Sequence, residues 1–190
     1  MSLAHPGFAN PVLDSQACFR CVLDAMARPG TIHRLDAPSE PPPPLHRATA
    51  AALLTLADVD TPLWLDDAAG AAAEWVAFHC AAPAAAMERA AFAVALGPVD
   101  LARFGAGTDD GPEDSATVIL QVRALGTGQA FRIEGPGLPC AATVAVDGLW
   151  PGFAAAWTAN RALFPRGIDL ILCAGDAIAA FPRTLQIGEV

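Results

Sequence analysis

Lysine is absent from this 190-residue chain, and so is tyrosine. The first absence excludes a Schiff-base lysine for pyridoxal phosphate and the lysine of a P-loop. The second removes phenolic acid/base chemistry. Every fixed side-chain cation is therefore an arginine, the residue suited to bidentate binding of phosphate or carboxylate. Positive charge is scarce overall: the net charge is −9 and the pI about 4.7. A general electrostatic footprint for nucleic acid or anionic lipid is missing. Cysteines number five, an odd and scattered set, which fits reduced thiols in a cytoplasmic protein. No apolar run reaches the ~18 residues that span a bilayer. The opening MSLAHPGFANPV has neither the charged region nor the apolar region of a secretory signal, so no membrane association is expected. The four histidines stand far apart, with no zinc-type spacing and no G-x-S-x-G elbow. No motif in the sequence marks a catalytic residue, a metal-ligand set or a cofactor site, so none of the three is expected.

What the chain does have is apolar residues: 54% of the total, with a mean hydropathy of +0.39. Its mass of 19.5 kDa predicts one domain over residues 1–190. A chain of that mass buries roughly 70% of its extended surface. The surplus apolar surface predicts a homodimer or a complex subunit.

Residues 1–13, punctuated by Pro and Gly, read as an extended N-terminal arm. Asp14 is the expected N-cap of a helix whose core stripe is Phe19, Val22, Leu23 and Met26. Arg20–Asp24 and Asp24–Arg28 are i,i+4 pairs on the other face. Cys18 and Cys21 form a C-x-x-C inside that helix. It reads as buried small side chains, with a redox dithiol as the alternative. Pro29-Gly30 ends the helix before a strand at 31–35. Residues 37–45, APSEPPPPL, read as a proline-rich surface loop. A buried helix at 46–57 and an Asp-rich turn at 58–62 lead to a strand at 63–65. Residues 74–79 alternate like a strand anchored by Trp75. His79 with Cys80 or Cys173 is a conceivable dyad, against the plainer reading of buried thiols.

A strand at 90–96 and a short helix at 99–104 precede GAGTDDGPED at 105–114. Four carboxylates there could recruit Mg²⁺ or form a solvated connection. Strands follow at 116–122 and 129–134. Gly126-Thr127-Gly128 begins like a dinucleotide fingerprint, but its third Gly is missing and a strand follows it. Residues 148–163 hold a helix with Phe153, Trp157 and Leu163 inward. These elements predict an α/β protein, a three-layer sandwich with a central mixed sheet.

The strongest local signal is at 164–184. Two apolar runs, 168–174 and 177–181, flank Gly175-Asp176, which suits a type II′ hairpin turn. Pairing Ala174 with Ala177 puts Ile168 opposite Arg183 and Arg166 on the next diagonal of the same face. Arg166 and Arg183 are thus candidate anion-binding or partner-binding residues. The alternative is that each serves a strand end or pairs with an acid such as Asp169.

Several blocks resemble one family: DSQACFRCVLDAMARPGTI (14–32), ATAAALLTLADVDTPLWLDD (48–67), FHCAAP (78–83), SATVILQV (115–122), FRIEGPGL (131–138) and FPRGIDLILCAGDAIAAFPRT (164–184). Together they look like the PhnH family, subunits of the bacterial carbon–phosphorus lyase core complex in phosphonate metabolism. The resemblance implies a fold like the major domain of pyridoxal-phosphate-dependent transferases without the cofactor, a homodimer, and assembly with the other core subunits. It implies support for the conversion of alkylphosphonate and MgATP to ribosyl triphosphate phosphonate and adenine, and the missing nucleophile, metal and lysine signatures favour a role there as an assembly or structural component. It carries over no catalytic residue. The alternative is an Arg-lined transferase acting on phosphorylated substrates in its own right.

Overall fold

Short apolar runs form a central mixed sheet in the computed structural model, which describes residues 5–35 and 40–190. In chain order the elements are α1 (Pro11–Ala27), β1 (His33–Arg34), α2 (Arg47–Leu56), β2 (Leu63–Leu65), α3 (Ala72–Cys80), β3 (Phe92–Ala95), β4 (Thr117–Gln121), β5 (Ala124–Glu134), β6 (Ala142–Asp147), α4 (Phe153–Arg161), β7 (Asp169–Ala174), β8 (Ala177–Phe181) and β9 (Gln186–Glu189). The six-stranded sheet has the order β1-β8-β7-β4-β3-β2. Strands β2, β3, β4 and β7 are parallel, while β8 and β1 run antiparallel to their neighbours.

The central strands are apolar through their middle positions because both faces are covered there. Along β7, Ile171 and Cys173 pack on one side. Leu170, Leu172 and Ala174 pack on the other. Helices α1, α2 and α3 cover the first face with Val22, Leu53 and Trp75. On the second face lie α4 and a small antiparallel sheet, β6-β5-β9. Its centre is an aromatic cluster of Phe131, Phe153, Trp157 and Phe181. The buried Trp157 indole donates to Leu185 O at 2.8 Å, so its one polar atom is satisfied.

The hairpin forms as its sequence predicts. Ala174 pairs with Ala177 and Leu170 with Phe181. Gly175 takes φ +57°, the left-handed first position that a type II′ turn requires. The predicted strands at 63–65, 90–96 and 116–122 appear as β2, β3 and β4, and the helix at 46–57 as α2.

Other expectations are corrected. The arm ends early: α1 starts at Pro11, which occupies the first helical position. Its N-cap is Asn10, not Asp14. The Asn10 side chain accepts from Leu13 N–H at 3.2 Å, and Asp14 returns the contact by accepting from Asn10 N–H at 2.9 Å. Residues 1–4 of the arm lie outside the described residues. The buried stripe of α1 is Cys18, Val22 and Ala25, while Phe19 and Leu23 point outward. Asp24 pairs with Arg28 at 2.9 Å, and Arg20 makes no ion pair with any described residue. Residues 74–79 belong to helix α3, where Trp75, Val76 and Cys80 are buried. Leu163 is partly exposed rather than inward. Of the proline-rich stretch, 37–39 lie outside the described residues, and 40–46 contain neither helix nor strand. Strand β5 begins at Ala124, so the Gly126–Gly128 stretch is a bulge within it.

Candidate functional site

Arg183 follows β8, and Asp169 opens β7. The backbone ladder ends at Leu170 and Phe181, and the Asp169 carboxylate extends it by one step. It accepts Arg183 N–H at 2.7 Å. The Arg183 guanidinium donates to the same carboxylate through Nε, at 3.3 and 3.2 Å, and through Nη2. Its Nη1 donates to Pro112 O at 2.6 Å. Only 16% of the Arg183 side chain and 17% of the Asp169 side chain are exposed, so this charge-assisted pair sits largely out of water.

Arg166 reaches the same loop. Its Nε lies 3.1 Å from Asp109 Oδ1, although the N–H is not aimed well enough for a hydrogen bond. Gly167 N–H donates to Ala106 O at 2.9 Å, and Ala116 N–H to Gly105 O at 2.8 Å. The two arginines therefore contact residues 109 and 112 of one acidic loop. Asp109, Asp110, Glu113 and Asp114 are all exposed on it. The arrangement can hold a loop in one conformation. An incoming oxyanion would have to displace Asp169 to gain the full fork of Arg183.

The turn that carries Arg166 is closed by Asn160, which sequence reasoning missed. Its side chain accepts from Ile168 N–H at 2.8 Å and donates to Ile168 O at 2.9 Å. Asn160 is buried, so it stands in for a neighbouring strand. Gly167 passes beside it at φ +116°, where a Cβ would lie 3.0 Å from Asn160 O. The available signal was a polar residue at i+3 after Trp157 on the inward stripe of α4.

A second junction lies at the carboxyl ends of β4 and β7, where ligands commonly bind in α/β sheets. Gln121 Oε1 accepts from His46 N–H at 2.7 Å and from the Thr49 hydroxyl at 2.8 Å. Gln121 Nε2 donates to Pro44 O at 3.0 Å. His46 Nδ1 accepts from Gly175 N–H at 3.2 Å. Burial lowers the His46 pKa, which favours this neutral, accepting ring. A shallow depression of about 560 Å³ opens here, lined in part by His46, Gly175 and Asp176.

Three of the remaining candidates, the buried thiols, are not poised to react. Burial pushes the Cys18 and Cys80 thiols up to about 11, and the Cys173 thiol is raised by the same cause. The thiolate that nucleophilic or redox chemistry needs is therefore disfavoured at all three. In the 58–62 turn, Asp58 accepts Asp60 N–H at 3.0 Å, a backbone-capping role. No group of three or more His, Cys, Asp or Glu side chains able to hold a metal occurs among the described residues. Nor is any helix there long and apolar enough to cross a membrane.

Fold and site together define an α/β protein with a mixed sheet, in which an arginine at the end of the hairpin clamps an acidic loop. The chain belongs to the family of bacterial phosphonate metabolism proteins known as PhnH, whose profile matches residues 6–188. It is 40% identical over 186 residues to the alpha-D-ribose 1-methylphosphonate 5-triphosphate synthase subunit PhnH of Rhizobium meliloti (strain 1021), covering 95% of this chain and 93% of that protein. It is 32% identical over 174 residues to the putative C-P lyase subunit protein HtxG of Stutzerimonas stutzeri, covering 90% and 85%.

Proposed function

We propose that this chain is a subunit of the carbon–phosphorus lyase core complex and serves it as an assembly or structural component. The observation that carries this reading is the 40% identity, over nearly both full lengths, to a protein named as a subunit of a ribose methylphosphonate triphosphate synthase. In that reading the complex joins an alkylphosphonate oxygen to C1′ of the MgATP ribose. The bond from C1′ to adenine breaks, and a ribosyl triphosphate phosphonate remains. The complex acts in the cytoplasm. Two copies of the chain pair with each other and bind the other core subunits. The fold belongs with the major domain of pyridoxal-phosphate-dependent transferases, without that cofactor.

Arg166 and Arg183 take part in partner binding by fixing the 105–114 loop, whose carboxylates face outward. The engagement of Arg183 with Asp169 and Pro112 speaks for this over a free anion site. A test of the functional role is adenine release from MgATP and methylphosphonate. The purified chain alone should release none, and the complex reconstituted with the other subunits should release it. Turnover by the lone chain would instead favour the transferase reading.

A further inference from the structure

Helix α1 is apolar on two sides. Cys18, Val22 and Ala25 face the sheet. On the outward side lie Val12, Leu13, Phe19 and Leu23, with Ile32 beyond the helix end. These five are half of the ten large apolar side chains exposed among the described residues, at 44 to 75% exposure. Val12, Phe19 and Leu23 sit at i, i+7 and i+11, one line along the helix. A surface helix normally carries polar residues there.

We propose that this outward face of α1 is the surface through which two copies of the chain pair. The proposal rests on the reading that the chain self-associates, and names the face. Three observations favour a second copy as the occupant. First, the pattern is self-complementary. Two α1 helices laid antiparallel about a two-fold near residues 21–22 set Phe19 against Leu23 of the second copy. Arg20 meets Asp24 of the second copy, and Val12 faces its Ile32 end. A two-fold makes each of these contacts twice. Second, Arg20 lies on this face without an ion pair to any described residue. Asp24 is bound only to Arg28, in a pair with both side chains more than half exposed. Third, the charges on α1 and its C-cap are Asp14, Arg20, Asp24 and Arg28, which sum to zero in a chain of net charge −9. Two copies can approach here without the repulsion the rest of the surface imposes.

The area suffices. The exposed apolar side chains of this face offer on the order of 400 Å² per copy. Homodimer interfaces are about 65% apolar, so two copies would bury roughly 1,200 Å² in total, the lower limit for a stable interface. The helix of 17 residues supplies a contact about 25 Å long.

The test is sedimentation of the full chain at low ionic strength, where exposed charge contacts are least screened. The wild type should be a dimer at micromolar concentration. Arg20→Glu alone and Asp24→Arg alone should each raise the dimer Kd at least about tenfold, because each sets like charges together twice. Mixed in equal amounts, the two variants should pair with each other at close to wild-type affinity. Each Glu at 20 then meets an Arg at 24, and each Asp24 meets an Arg20. A Phe19→Ser, Leu23→Ser variant should be monomeric with an unchanged far-ultraviolet spectrum. If both charge variants dimerise like the wild type, this face is not the interface and self-association stands. If mixing restores nothing, the antiparallel pairing of two copies is overturned. A wild type that stays monomeric removes self-association itself.

Discussion

Replacing Arg183 with alanine is expected to lower the stability of the chain by roughly 3 kcal/mol and its melting temperature by about 6–12 °C. The guanidinium joins the Asp169 carboxylate to Pro112 O, and so ties the hairpin to the acidic loop. Without it, a carboxylate with 17% of its side chain exposed keeps only the backbone N–H of residue 183. An uncompensated buried charge costs more than the pair contributes. Arg183→Lys should recover only part of the loss, because one ammonium cannot reproduce the fork. Thermal and urea unfolding measure this directly. A change below about 1 kcal/mol, together with lost assembly or adenine release, would show that Arg183 serves an external anion rather than the fold.

Asn160→Ala is expected to cost about as much, roughly 2–4 kcal/mol. It strips both Ile168 N–H and Ile168 O of their partners in a buried place, at about 1–3 kcal/mol for each unsatisfied group. Asn160→Asp keeps the acceptor but removes the donor and brings in a charge. It should therefore be at least as destabilised at neutral pH. The checks are the melting temperature and exchange protection of the Ile168 amide. An alanine variant melting within about 2 °C of wild type would mean that water replaces the side chain.

The parts of the fold that could be read from sequence are those with a local chemical cause. Gly175-Asp176 dictates its turn, and the turn dictates the register from Ala174 and Ala177 outward. The contact between Arg183 and Asp169 was within reach of that register. Its third member, Pro112, was not, because nothing in GAGTDDGPED signals which residue 71 positions away it will meet. Residues 74–79 looked like a strand because six residues can satisfy either period. Packing of Trp75, Val76 and Cys80 into the helical layer decided for a helix. On α1 the period was right and the face was wrong. Phe19 and Leu23 belong to a second apolar line, and a helix apolar on two sides does not say which side meets its own core. Beside Val144 and Val146, strand β6 (Ala142–Asp147) carries three half-buried positions and the exposed Thr143, a pattern too weak to mark it. Asn160 escaped notice because a buried polar residue shows its purpose only when Ile168 lies beside it.

The central claim is that this chain works as one subunit among several in phosphonate metabolism. Its most direct test is affinity purification of the tagged chain from phosphate-starved cells grown on methylphosphonate, followed by mass spectrometry and sizing of what is retained. The account predicts that the other carbon–phosphorus lyase core subunits co-purify in fixed ratio, in a particle several times larger than the chain or its dimer. Recovery of the chain alone or only with itself, from cells that do express those subunits, would contradict it.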